Sequence, residues 1–93
     1  MTVQTDVKSA TRTDDGTLVG ARARIKAMTI TCSASAGSVV LKDGGSGGTT
    51  KIEINTPALA EIFNVAIPAE GVLFQTDVYV DVTNVSSITV FYG

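Results

Sequence analysis

The stretch Ile67–Tyr92, IPAEGVLFQTDVYVDVTNVSSITVFY, restricts what this chain can fold into more than any other. It opens with a turn from Pro68 to Gly71 and a short apolar run, Val72-Leu73-Phe74. Val78, Val80 and Val82 then share one parity, with Tyr79, Asp81 and Thr83 on the other. After Asn84 and two serines, Ile88, Val90 and Tyr92 repeat the pattern. Side chains alternate faces along a strand, so each segment has one apolar and one mixed face. Two such strands are not stable alone in water, and the rest of the chain must supply a second layer.

Ninety-three residues suit one domain. A chain this short buries only about 60–65% of its unfolded surface, which leaves a thin margin of stability. With three Phe, two Tyr and no Trp, the core must be built from Val, Ile, Leu and Ala. Thin cores of this kind commonly gain from assembly with a partner, so self-association is expected.

The remaining segments read as short strands between turns. Val3, Thr5 and Val7 fit an edge strand, or an arm over residues 1–17 that a neighbour orders. Asp14-Asp15-Gly16 reads as a turn before Leu18-Val19. From Ala21 to Cys32 the apolar positions change parity, from Ile25 and Ala27 to Met28, Ile30 and Cys32. That change predicts a bulge near Lys26–Met28, a device by which one strand can serve both sheets.

Ser38–Lys42 is apolar through its middle and reads as a central strand. The tract DGGSGG then forms the flexible tip of a hairpin returning through Thr49–Asn55, which Thr56-Pro57 ends. Ala58–Glu61 is too short for a helix and reads as a connection. Phe63, Val65 and Ile67 give the next strand, closed by Pro68. The expected fold is all-β: a single jelly-roll-like β-sandwich of about seven or eight short antiparallel strands over residues 18–93, with an extended N-terminal arm, 1–17.

A net charge of −2 gives no reason to expect a nucleic-acid or membrane partner. All seven basic residues precede position 52, with four acids among them, while residues 52–93 hold five acids and no base. Interleaving of strands from the two halves would mix these charges on the folded surface. No run of about 18 apolar residues spans a bilayer, and Met1–Asp6 lacks a secretory-signal pattern, so a soluble protein made in the cytoplasm is expected.

Histidine is absent, which removes the commonest general base and the usual transition-metal ligand. Cys32 shares the parity of Met28 and Ile30 and reads as a small buried apolar residue. Asp77 and Asp81 face the same way but lie roughly 13 Å apart along a strand, too far for a glycosidase pair. The glycine tract lacks the Gly-Lys-Ser/Thr ending of a phosphate loop and enters a strand rather than a helix. Neither a cofactor nor a metal is expected. Arg22, Arg24 and Lys26 form the best basic stripe, with no interleaved aromatics to stack on bases. They read as an exposed edge that resists aggregation or meets an acidic partner.

Several stretches taken together resemble a known family. They are RIKAMTI (24–30), VVLKDGG (39–45), IEINTP (52–57) leading to IPAEGVLF (67–74), and the ending SSITVFYG (86–93). Their order and spacing resemble small all-β virion structural proteins of tailed bacteriophages, above all marine and cyanobacterial podoviruses, over about residues 20–93. The resemblance implies a non-enzymatic virion protein, a capsid decoration or cement protein that binds the assembled head in many copies and stabilises subunit junctions. Its partners would be the major capsid protein or other virion proteins, and it carries over no catalytic residue. Arg12 in the arm, with Arg22, Arg24 and Lys26, are the candidate contacts. The same fold also suits a neck, tail or fibre component assembled as a ring or trimer. A carbohydrate-binding receptor module is disfavoured, because only Tyr79 and Tyr92 could stack on a sugar.

Overall fold

The parity change in the longest strand sets the geometry of everything around it. The computed structural model describes residues 7–67 and 71–93. Strand β3, Ala23–Cys32, buries Ala23 and Ile25, then Met28, Ile30 and Cys32. Its register against β9, Val85–Tyr92, slips between Ile25 and Ala27, which places a bulge at Lys26. One extra residue lets both apolar sets face the same core. The bulge therefore re-aims side chains within one sheet. It does not carry β3 into the other sheet, because all the partners of β3 belong to the same layer.

That layer has the order β1-β9-β3-β6, where β1 is Lys8–Arg12 and β6 is Ile62–Ala66; β7, Val72–Phe74, also pairs with β3. The opposite layer has the order β2-β8-β4-β5, with β2 Gly16–Val19, β8 Val78–Thr83, β4 Gly37–Asp43 and β5 Thr49–Thr56. No segment among the described residues is helical. Strand β4 lies between β8 and β5, in the central position that its apolar middle predicts.

Strands β6 and β7 run along the same side of β3, against Ala27–Thr31 and Ala23–Ile25 respectively. They are two pieces of one strand, interrupted where β3 bulges; Ile67 N donates to Lys26 O there at 3.0 Å. Joined in this way, nine segments become eight strands. The pairs β4·β5, β3·β6/β7, β2·β8 and β1·β9 are the successive rungs of one long hairpin. The hairpin is rolled so that alternate rungs fall in opposite layers, and β9·β3 and β8·β4 close each layer. This is the jelly-roll wrap. Most rungs pair an early strand with a late one, so the basic and acidic halves of the chain do interleave.

The crossing between the two alternating segments takes a single residue, Asn84, since β8 ends at Thr83 and β9 begins at Val85. Asn84 adopts φ 52°, in the left-handed region that Asn tolerates better than most residues. Its Nδ2 donates to Ala36 O at 2.9 Å, and Ser33 Oγ donates to Asn84 O at 2.7 Å. The serines belong to β9, whose register against β3 shifts between Thr31 and Cys32. This second bulge explains why Val85 and Ile88, of opposite parity, are both buried. The last two alternating segments thus lie in opposite layers, and each serves as the other's cover.

The core joins Ile25, Met28 and Ile30 of β3 to Val39 and Leu41 of β4, Phe74 of β7, Val78 and Val80 of β8, and Ile88 and Val90 of β9. Of residues 1–17, Lys8–Arg12 is an edge strand on β9, and β2 begins at Gly16. The expected strand through Val3 and Thr5 and the Pro68 end of the 68–71 turn lie outside the described residues.

Candidate functional site

The candidate basic contacts do not form one patch. Arg24 and Lys26 point outward from β3, half-buried, and Arg22 is exposed just before it. Arg12 pairs with Ile88, which in turn pairs with Ile30, whereas Arg24 lies beyond Ile25 at the other end of β3. Strand rise places the two roughly 20 Å apart along the sheet. Arg12 is also engaged locally. Its Nη2 pairs with Asp14 Oδ1 at 2.9 Å and donates to Asp15 O at 3.2 Å, while Nη1 donates to Thr17 O at 3.4 Å. The guanidinium lies over Gly16, where any side chain would overlap it. Arg12 therefore closes the β1–β2 turn, and Arg22, Arg24 and Lys26 remain together as a stripe.

The carboxylates act as acceptors for the backbone. Asp43, ending β4, accepts from Gln75 N at 2.9 Å and Thr76 N at 2.8 Å. Asp77 returns the arrangement by accepting from Gly44 N at 3.0 Å and Gly45 N at 3.1 Å. This reciprocal clasp ties the glycine-rich tip of the β4–β5 hairpin to the β7–β8 turn. Gly48 N to Gly45 O and Lys42 Nζ to Ser46 O, each 3.0 Å, hold the remainder. The tip expected to be flexible is anchored at four points, because carboxylates flank it in the fold. Asp81, on the outer face of β8, meets Lys42 Nζ at 3.2 Å.

Hydrogen bonds from the Gln75 and Thr76 amides hold the Asp43 carboxyl below its ordinary 3.8. A carboxyl with a depressed folded pKa stabilises the fold above its unfolded value, and that contribution disappears as pH falls through the folded value. The Asp43 half of the clasp should therefore persist down to its ordinary 3.8 and open only as pH falls further. Amide exchange at Gln75 and Thr76, followed by NMR during acid titration, should accelerate in that window. Asp43→Asn should speed the same amides at neutral pH and remove much of the acid response.

Two concavities remain. A wide, open depression of about 550 Å³ is lined by Asp14, Asp15, Ser33, Asn84 and Ser86 among others. Most of its polar groups are used within the fold: Asp14 by Arg12, Asp15 by Val82 N at 2.7 Å, and Asn84 and Ser33 in the crossing. Among the described residues no three His, Cys, Asp or Glu side chains gather as metal ligands. Cys32 is buried at the end of β3, opposite Val85.

The other concavity is an apolar groove of about 190 Å³ at the open side of the sandwich, between β5 and β6. Ile30, Ile54, Pro57, Phe63 and Val65 line it together with Thr56, whose buried hydroxyl has no hydrogen-bond partner among the described residues. Phe63 exposes 38% of its surface within it, while Ile62, on the opposite face of β6, and Leu59 expose 63 and 51%. Alternation assigns Phe63 and Val65 to the core face, which is where they point, but β6 is an edge and nothing described covers Phe63. The adjacent pair Ile62-Phe63, apolar on both faces, was the available signal for this surface. No family model, curated protein or solved structure matches the chain.

Proposed function

We propose that this protein is a non-enzymatic structural component of a phage virion, a capsid decoration or cement protein that binds the assembled head in many copies. The observation that carries this reading is the order of strand pairing. Eight strands rolled as a jelly roll form an architecture that recurs in viral capsid and lectin domains. Its binding features lie on outer surfaces: the Arg22/Arg24/Lys26 stripe at one end of the β1-β9-β3-β6 layer and the apolar margin along β6. A small rigid module of this kind gains strength from multiplicity on a repeating lattice. The basic stripe suits an acidic patch of the major capsid protein, where complementary charge sets register and association rate. The lectin alternative lacks a stacking platform, since Tyr79 and Tyr92 are both half-buried.

Co-sedimentation of the purified chain with assembled heads tests the proposal. The wild-type protein should pellet with heads at high copy number, and Arg22→Glu with Arg24→Glu should weaken that binding at low salt. Failure of the wild type to pellet would reject it. Density at the head–tail axis alone would place the protein in the neck or tail instead.

A further inference from the structure

Strand β6 is an edge without the usual protection. The β1 edge carries Lys8 and Arg12 at its ends, β2 is four residues long with a register shift, and β5 carries Lys51 and Glu53 and runs into Pro57. Charge, shortness, irregularity and proline all discourage strand addition. Strand β6, Ile-Phe-Asn-Val-Ala, has neither charge nor proline within it, although Glu61 and Pro68 flank it in sequence, and its pairing with β3 is regular throughout.

The hydrogen-bond phase of β6 fixes which backbone groups are free. Cys32 N donates to Glu61 O at 2.8 Å and Ile67 N to Lys26 O at 3.0 Å. In an antiparallel ladder, bonded residues alternate with unbonded ones. Phe63, Val65 and Ile67, with the carbonyl of Glu61, therefore direct their backbone polar groups at β3, while Ile62, Asn64 and Ala66 direct theirs away from the sheet. No described residue takes up those outward groups.

We infer that β6 pairs with β6 of a second copy, antiparallel about a two-fold axis at Asn64. This register makes Asn64 face Asn64 and Ile62 face Ala66, so that every outward group meets a complementary one. The side chains also match. Phe63 would stand across from Val65 of the other copy on the core-side face, in a non-hydrogen-bonded pair about 4.5 Å apart at Cα, where side chains approach closely. Their apolar surfaces would extend the wall of the β5–β6 groove. On the outer face, Ile62 would meet Ala66, large against small. No charge lies on either strand to oppose self-pairing, and the contact is isologous, as a closed dimer requires. The β1-β9-β3-β6 layer would thereby continue across the axis into its copy.

Sedimentation velocity and oxidative cross-linking of the full chain test this inference independently of the virion reading. The wild type should sediment as a dimer. Asn64→Pro removes an outward N–H from each strand without removing a donor to β3, and should raise the dimer dissociation constant by roughly ten- to a hundredfold. It also loses the Asn64 Oδ1 that accepts from Thr29 Oγ1 at 2.8 Å; if its circular dichroism or melting departs from wild type, Ile62→Lys, at a largely exposed position, replaces it as the disrupting variant. Asn64→Cys should give a covalent dimer on oxidation, because a hydrogen-bonded pair places Cα atoms about 5.5 Å apart, within disulfide range. Cys32, being buried, should not contribute. A monomeric wild type, a dimer indifferent to the disrupting variant, or a folded Asn64→Cys protein that does not cross-link would each overturn the inference. None of these outcomes would bear on whether the chain pellets with heads.

Discussion

Phe74→Ala should cost about 3–5 kcal/mol, the usual range for emptying a buried aromatic site. Phe74 is completely buried, and it is the one aromatic ring in the innermost core among the described residues. It belongs to a three-residue strand, so little local backbone pairing could offset the loss. Surrounding it are branched aliphatic chains held by two hydrogen-bonded layers, which limits collapse into the vacated space. Total stability for a domain of this size is on the order of 5–14 kcal/mol, so the variant forfeits a large share of it. Urea denaturation should show the midpoint falling with little change in slope. Phe91→Ala, at a half-buried position on the outer face, should cost clearly less. Equal losses at the two positions would show that Phe74 does not occupy the core as described.

Gly71→Ala should be nearly as damaging, through the backbone. Gly71 has φ 89°, a conformation that residues with a Cβ rarely adopt, at a cost of about 1–3 kcal/mol. A methyl there would also overlap the carbonyl of Ile25, and that carbonyl belongs to β3 beside its bulge. Neither backbone can yield without disturbing the β3·β7 pairing that seats Phe74. We expect a total loss of at least about 3 kcal/mol, read as a fall in melting temperature of roughly 12–24 °C. Gly20→Ala is the control. Nothing lies within 4 Å of a Cβ at that position, and its melting temperature should barely move.

Periodicity reports face, and where face decided the structure the sequence was legible. The parity change at Lys26 marks the β3 bulge because two apolar sets must reach one core. The uninterrupted apolar middle of Ser38–Lys42 marks a central strand, flanked by β8 and β5, although Val40 on its outer face is only half-buried. Face says nothing of partner. Alternation in Val78–Thr83 and Ile88–Tyr92 is the same whether the two strands pair or lie in opposite layers, and only the left-handed Asn84 separates those outcomes. The Asp43–Asp77 clasp was hidden for a different reason. Its acceptors are met by backbone amides, which every residue but proline offers and no composition reveals. The same limit applies to Arg12, whose partners are mostly carbonyls of its own turn. On β6 the apolar parity of Phe63 and Val65 was visible, while the lack of a covering element depends on where the wrap ends.

The rolled hairpin has a consequence for how the polypeptide is made. Strand β9 sits between β1 and β3, and β8 sits between β2 and β4, so one of the two interior members of each layer is made only after β1 to β7. An emerging chain that has reached β7 can pair β3 with β6 and β7, and β4 with β5, but β1 and β2 still lack the strands they pair with. Contacts so distant in sequence make for slow closure and leave unpaired ladders waiting. Emergence of β9, rather than any earlier point in elongation, should be the moment at which this domain first acquires protease resistance.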